Sequence, residues 1–370
     1  MRTLTTHRGH YDKTLLFAVL ALIAVSVVMV YSSSSVVALR AYDDPAFFMK
    51  RQLLWALVGL GVMAAAMRMD HRLLDDQRVV VTLLVLALVL LVATLVPGIG
   101  REVNGSRRWL RLGMLSFQPS EFAKLALVIY LSYVIAKKGP KIRDFMNGMV
   151  PAYVVTGVFL LLAIRQPDFG AAVTLAMIAC ILLFAGGANV LHLAGTALVA
   201  LPAVYFAVAH KAYRLRRIVA FLDPWSDPQG AGHQIIQSFL AFGSGGVFGR
   251  GLGEGRQKLL FLPERHSDFI YAVIGEELGL IGALIVLLFF LLILWRGVRI
   301  AISSGDLFTR LLALGITLLI CFQGMINMAV VTGLVPTKGI ALPLVSYGGS
   351  SLVITMAALG VLLSMSRETA

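Results

Sequence analysis

The chain has 370 residues, of which 59% are hydrophobic and only 14% charged, and its mean hydropathy is +0.87. A soluble domain of this length needs about 25% charged residues, so a soluble enzyme is excluded. The formal charge of +13 sits on no soluble basic module, which points to anionic headgroups and a phosphate-bearing substrate rather than nucleic acid.

The apolar residues come in blocks of roughly 18 to 25, long enough to cross a bilayer core of about 30 Å. Continuous apolar runs indicate helices rather than barrel strands. The expected fold is an all-α polytopic membrane protein, one integral membrane domain over 1–370. Ten spans are predicted, near 14–34, 52–68, 79–97, 119–136, 148–164, 169–187, 190–210, 269–295, 309–333 and 341–365. The first exceeds a signal-peptide core, so it is expected to stay uncleaved. Cys180 and Cys321 each lie inside an apolar run, which argues against a structural disulfide. Two connections are long: 98–118, and 211–268 between spans seven and eight. An even span count puts both termini on one side. Lys and Arg in the short loops favour the cytoplasm for that side. The bare count reverses unless the 211–268 loop, near the length where the rule loses force, is set aside. A surplus of external Arg is what an anionic external substrate would explain.

The residues able to carry chemistry are few, because ionisable groups at membrane depth are costly. In chain order, Arg107, Arg108 and Arg111 beside Trp109 could clamp a pyrophosphate or serve as an interfacial anchor. Glu121 and Lys124 stand at i, i+3 in span four, where helical neighbours meet; a buried structural pair and a catalytic pair both fit. Asp168 follows Gln166-Pro167 at the outer junction of spans five and six. Arg214, Arg216, Arg217 and Arg250 form a second basic set. The Gly-rich run 243–255 follows no strand and opens no dinucleotide-binding helix, so a flexible loop or close backbone packing is expected. Pro263 suits the first turn of a helix. A helix starting there would place Glu264, Asp268 and Glu276 on one face, with Asp268 at the external water–membrane boundary. There it could act as a general base or simply complement the helix dipole. Spacing alone leaves both open.

Several stretches resemble the SEDS family (shape, elongation, division and sporulation proteins). They are Asn104-Gly-Ser-Arg-Arg-Trp109, Phe117-Gln-Pro-Ser-Glu-Phe-Ala-Lys124, Gln166-Pro-Asp168, Asp223-Pro-Trp-Ser-Asp-Pro228, Gln234-Ile-Ile-Gln-Ser238, Leu262-Pro-Glu-Arg-His-Ser-Asp-Phe269, Gly275-Glu-Glu-Leu-Gly279 and Pro343-Leu-Val-Ser-Tyr-Gly-Gly-Ser350. They run in order over nearly the whole chain. Tyr11-Asp-Lys-Thr-Leu-Leu16 and Gly333-Leu-Val-Pro-Thr-Lys-Gly339 are most like the division-specific branch; the elongation branch usually lacks the Thr337-Lys338 pair.

The resemblance implies a peptidoglycan glycosyltransferase of the cytoplasmic (inner) membrane, enriched at the division septum, that polymerises lipid II. The family's essential carboxylate matches Asp268, implied to be the base on the acceptor 4-hydroxyl. Undecaprenyl pyrophosphate is the leaving group. Candidate substrate-binding residues are Arg107, Arg108, Trp109, Glu121, Lys124, Asp168, Arg214, Glu264, His266, Lys338 and Ser346. A divalent cation, Mg²⁺ or Mn²⁺, is the one candidate cofactor. Implied partners are the growing glycan strand, a class B penicillin-binding protein, other division proteins and membrane lipids. Rival readings are a lipid II flippase, an elongation-type polymerase, and a scaffold that only recruits the transpeptidase.

Overall fold

Asp12 starts the first membrane helix. One carboxylate oxygen accepts the backbone N–H of Leu15 at 3.0 Å, satisfying a donor that the helix itself leaves orphaned. The other oxygen pairs with Arg296 at 2.6 Å. The computed structural model describes residues 10–103, 106–112, 115–209, 212–256 and 266–369. The helices among them are α1 (Lys13–Tyr42), α2 (Phe47–Arg68), α3 (Gln77–Leu95), α4 (Pro119–Lys138), α5 (Val150–Arg165), α6 (Phe169–Ala185), α7 (Val190–Ala209), α8 (Ala212–Leu222), α9 (His233–Gly245), α10 (Ile270–Glu277), α11 (Gly279–Ser303), α12 (Leu307–Val331) and α13 (Gly349–Thr369).

A helix occupies the place of each expected span. Eight are long and apolar enough to cross a membrane: α1 to α4, α5 with the turn before it, and α11 to α13. The other two apolar segments, α6 and Val190–Pro202 of α7, are shorter. At 1.5 Å per residue, the 17 residues of α6 span about 25 Å, less than a full bilayer core. Among the described residues, eight helices therefore have the length and apolarity of a full span.

Close approach of small residues sets the packing, as expected where apolar contact alone does not distinguish a helix from lipid. Helix α2 runs along α13. A side chain at Gly59 would strike Met356, one at Gly360 would lie 2.6 Å from the Met63 carbonyl oxygen, and one at Gly349 would enter the Trp55 ring. Helix α12 is largely enclosed and packs on α11, α4 and α6. There Gly315 faces Val128 and Leu182, and Gly324 faces the Phe290 ring at distances that exclude a larger residue.

The two ends of the bundle differ. At one end Asp12, Arg296, Ser366, His71 and Glu368 tie the start of α1 to the ends of α11 and α13. At the other end lie a small sheet, α9, α10 and the segment 332–348. The sheet lies in 98–118, expected as a long external connection, and adds strands to an otherwise helical fold. Strands β1 (Gly100–Val103), β2 (Ser106–Leu112) and β3 (Leu115–Phe117) form an antiparallel meander, with Gly100 opposite Leu110 and Leu110 opposite Phe117. Pairing satisfies backbone groups that an open loop at the membrane edge would leave bare.

Within 211–268, α8 is amphipathic and mostly exposed, whereas α9 buries Ile235, Ile236 and Ala241. The Ser238 hydroxyl donates to the Val331 carbonyl at 2.6 Å. The expected eighth span is broken in two. Gly279 has φ +69°, and α10 ends before it, so its last carbonyls need donors from outside the helix. The Gly-rich segment supplies the missing donors. The N–H of Arg250 bonds to the Glu276 carbonyl, and that of Gly251 to the Glu277 carbonyl, both at 3.0 Å. Gly253 N–H and the Ser32 hydroxyl reach the Glu277 carboxylate at 3.1 and 2.6 Å, and Arg256 N–H reaches Glu276 at 2.7 Å. The glycines let backbone pass against backbone: a Cβ on Gly249 would strike the Glu277 carbonyl oxygen. Glu276 and Glu277, 0% and 1% exposed, hold this crossing together.

Candidate active site

Asp268 does not stand on the expected helix. The helix begins at Ile270, and Asp268 lies in the turn before it, so it shares no helical face with Glu276. Pro263 and Glu264 lie outside the described residues. The turn is stitched instead to the segment that leads into α13. The Tyr347 N–H donates to the His266 carbonyl at 2.9 Å. The Ser346 hydroxyl donates to the Ser267 carbonyl at 2.6 Å and accepts the Leu342 N–H at 2.8 Å. The His266 ring stacks on Phe48, with centroids 5.1 Å apart, and meets Tyr347 edge-on. His266 and Ser346, candidates for substrate contact, are thus built into the frame of the site.

Across this frame Gly339 faces the Asp268 carboxylate so closely that a Cβ would sit 2.9 Å from Oδ2. Its neighbour Lys338 places Nζ 5.6 Å from the centre of the Phe169 ring, a cation–π distance. Burial pushes the Lys338 ammonium below its ordinary pKa of 10.5. Phe169 is the first residue of α6, and Asp168 caps that helix by accepting the Ala171 N–H at 3.0 Å. Arg108 Nη1 lies 3.9 Å from Asp168 Oδ1, while its fork donates to the carbonyls of Gln166 and Pro167. Asp268, Lys338, Asp168 and Arg108 therefore lie at one end of the bundle, linked through Gly339 and Phe169.

Strand alternation separates the arginines that the sequence groups together. Along β2 successive side chains face opposite sides. Arg108 turns to α5 and α6, whereas Arg107 turns away to an exposed ion pair with Glu102 at 3.2 Å. Trp109 is half-buried beside them. The side chains of Arg111 and Arg214 lie outside the described residues. Arg217 on α8 donates to the Thr337 carbonyl at 3.2 Å, beside Lys338.

Glu121 and Lys124 sit deeper and take separate partners from Asp168. Lys124 Nζ donates to Glu121 at 2.8 Å and to Gln323 Oε1 at 2.6 Å. Gln323 in turn donates to the Ala341 carbonyl. Sequence reasoning missed two contributors, Gln323 and Asn327. The signal was present: two amides four residues apart inside an apolar span, on the face of α12 that meets 340–342.

Among the described residues no group of three or more His, Cys, Asp or Glu side chains converges on a metal position. A Mg²⁺ held mainly by substrate phosphates needs only one or two protein carboxylates, and Asp268 and Asp168 are the ones at hand.

Residues 13–370 match the FtsW/RodA/SpoVE family model, described as cell cycle protein. The probable peptidoglycan glycosyltransferase FtsW of Trichlorobacter lovleyi is 52% identical over 97% of this chain and 93% of that protein. Stage V sporulation protein E of Bacillus subtilis is 43% identical over 98% of this chain and 99% of that protein. In fold, a chain of a peptidoglycan synthase complex that coordinates polymerization and crosslinking superposes with TM-score 0.79 at 32% identity, covering 97% of this chain and 98% of that one. The rod shape determining protein RodA of Thermus thermophilus does so with TM-score 0.71 at 30% identity, over 97% of each chain. Full-length agreement in both sequence and fold places this multi-pass membrane protein in the FtsW/RodA/SpoVE family of cell cycle proteins, the SEDS family that its motifs resemble.

Proposed function

We propose that this chain is a peptidoglycan glycosyltransferase of the division branch, which polymerises lipid II at the outer face of the cytoplasmic membrane. The observation that carries the reading is Asp268, clamped at the polar end of the bundle with Lys338 beside it, in a chain 52% identical to a probable peptidoglycan glycosyltransferase FtsW. Asp268 takes the proton of the acceptor's N-acetylglucosamine 4-hydroxyl. That oxygen attacks the anomeric carbon of the donor's N-acetylmuramic acid with inversion, and undecaprenyl pyrophosphate leaves with the bonding pair. Lys338 and Arg108 oppose the negative charge that builds on the leaving group. A class B penicillin-binding protein crosslinks the strand, a partnership supported by the likeness to a peptidoglycan synthase complex. The test is glycan synthesis from lipid II by the purified chain, with and without that partner. Lipid II transport without polymerisation would overturn the reading, and a rate indifferent to the partner would remove it as an activator.

The orientation is part of the proposal: termini in the cytoplasm, sheet and site outside, at the septum. Gln229 is exposed in the 223–232 connection. Gln229→Cys, in a chain carrying Cys180→Ser and Cys321→Ser, is expected to react with a membrane-impermeant thiol reagent in intact spheroplasts. Labelling only after rupture would invert the topology and remove the mechanism.

Lys338 makes a pH-dependent prediction. A lysine is cationic below its pKa, so a step that needs its charge slows as pH rises through that value. Burial lowers the value, which brings the basic limb of kcat/KM below the range of a free lysine. Lys338→Arg keeps the charge to about pH 12 and is expected to push the limb outward. An unchanged limb in this variant would show that another group sets it.

A further inference from the structure

Asn327 lies in α12, 1% exposed, and touches the candidate base only through its main chain. Its Nδ2 donates to the Asp268 carbonyl at 2.7 Å and to the Ile340 carbonyl at 2.6 Å. An amide nitrogen carries two hydrogens, so these two bonds use it fully. Turning the amide over would set Oδ1 against two carbonyl oxygens, which fixes the orientation without ambiguity. The cost appears on the other atom: Oδ1 is buried and has no hydrogen-bond partner among the described residues. The carbonyls they join belong to the two segments that form the site, the turn 266–269 and the stretch after Lys338-Gly339. Ser346 ties the same segments one residue earlier, at Ser267.

We propose that Asn327 is a positioning residue that locks the Asp268 backbone to the Lys338–Ile340 segment and so fixes the base relative to the adjacent cation and to the acceptor hydroxyl. This rests on Asp268 being the base. Near-attack geometry is sensitive: a displacement of about 1 Å can cost about 10²-fold in rate. Asn327→Ala removes both donations and deletes no group that faces substrate. The expected result, on purified full-length enzyme with lipid II, is a kcat lower by about 10²-fold per folded molecule, with KM within about twofold.

The decisive comparison repeats Asn327→Ala in an Asp268→Asn background, where residues that act through one another are non-additive. There the substitution should change the residual rate by less than about threefold. An equal loss in both backgrounds would overturn the proposal, as would a wild-type kcat in Asn327→Ala while Asp268→Asn is inactive. A wild-type rate in Asp268→Asn alone would instead overturn the base assignment itself. If Asn327→Ala does not fold, Asn327→Ser, which keeps one hydroxyl donor, carries the same comparison.

Discussion

Asp268→Asn is expected to polymerise lipid II about 10²–10⁴-fold more slowly than the unsubstituted chain, the usual contribution of a positioned general base. Asparagine has nearly the size of aspartate and cannot accept the proton. Among the described residues, main-chain ties hold this turn, from Asn327 to the Asp268 carbonyl and from Tyr347 to the His266 carbonyl, and the substitution leaves them intact. Gly339 opposite still gives room for an amide where it gave room for a carboxylate. Thermal stability and lipid II binding should therefore stay close to those of the parent while turnover collapses. Polymerisation at the parental rate would sink the assignment. Loss of binding in step with loss of rate would make Asp268 a substrate anchor instead.

The second large effect is on stability. Lys124→Ala should destabilise the protein by about 3–5 kcal/mol, the range for stranding one member of a buried ion pair. The Lys124 side chain is 4% exposed and that of Glu121 12%, so neither charge is relieved by water. Removing the ammonium also takes the donor from Gln323 Oε1. The pair itself need not be a net source of stability, because desolvating two charges offsets their attraction. Glu121→Gln combined with Lys124→Met should accordingly recover much of what Lys124→Ala loses. The measurement is thermal unfolding in one detergent, beside rate per folded molecule. A double variant no more stable than Lys124→Ala would refute the ion-pair account. A rate per folded molecule that falls far more than stability would put the pair in contact with substrate.

Much of the fold follows from local chemistry. Apolar blocks of bilayer length have one way to satisfy their backbone, and that property belongs to each segment by itself. The helices, their order and the polar connections at their ends were legible for that reason. Asp268 and Asp168 stood out for a like reason, because a charged group beside an apolar run is conspicuous, whereas Lys338 entered only through the family resemblance. The shortness of α6 was not legible, since an apolar run does not show how many of its residues the helix takes.

Tertiary structure decided the rest. Arg107 and Arg108 are neighbours in the chain, yet a strand turns them to opposite faces, and strand formation in 100–117 depends on pairing with residues outside each segment. Pro263 has the local chemistry of a helix start, but α10 begins only at Ile270, because the turn before it bonds to 346–347 and Asn327. The break at Gly279 is set by a Gly-rich segment that arrives from some 30 residues earlier and satisfies Glu276 and Glu277. Asn327 and Asp268 are 59 positions apart, and their contact exists only once α12 lies beside the turn. The sequence determined by itself which segments enter the membrane and which groups carry charge. Which of those groups meet was decided by the fold, because a hydrogen bond needs both partners within about 3 Å and only the packed bundle brings them there.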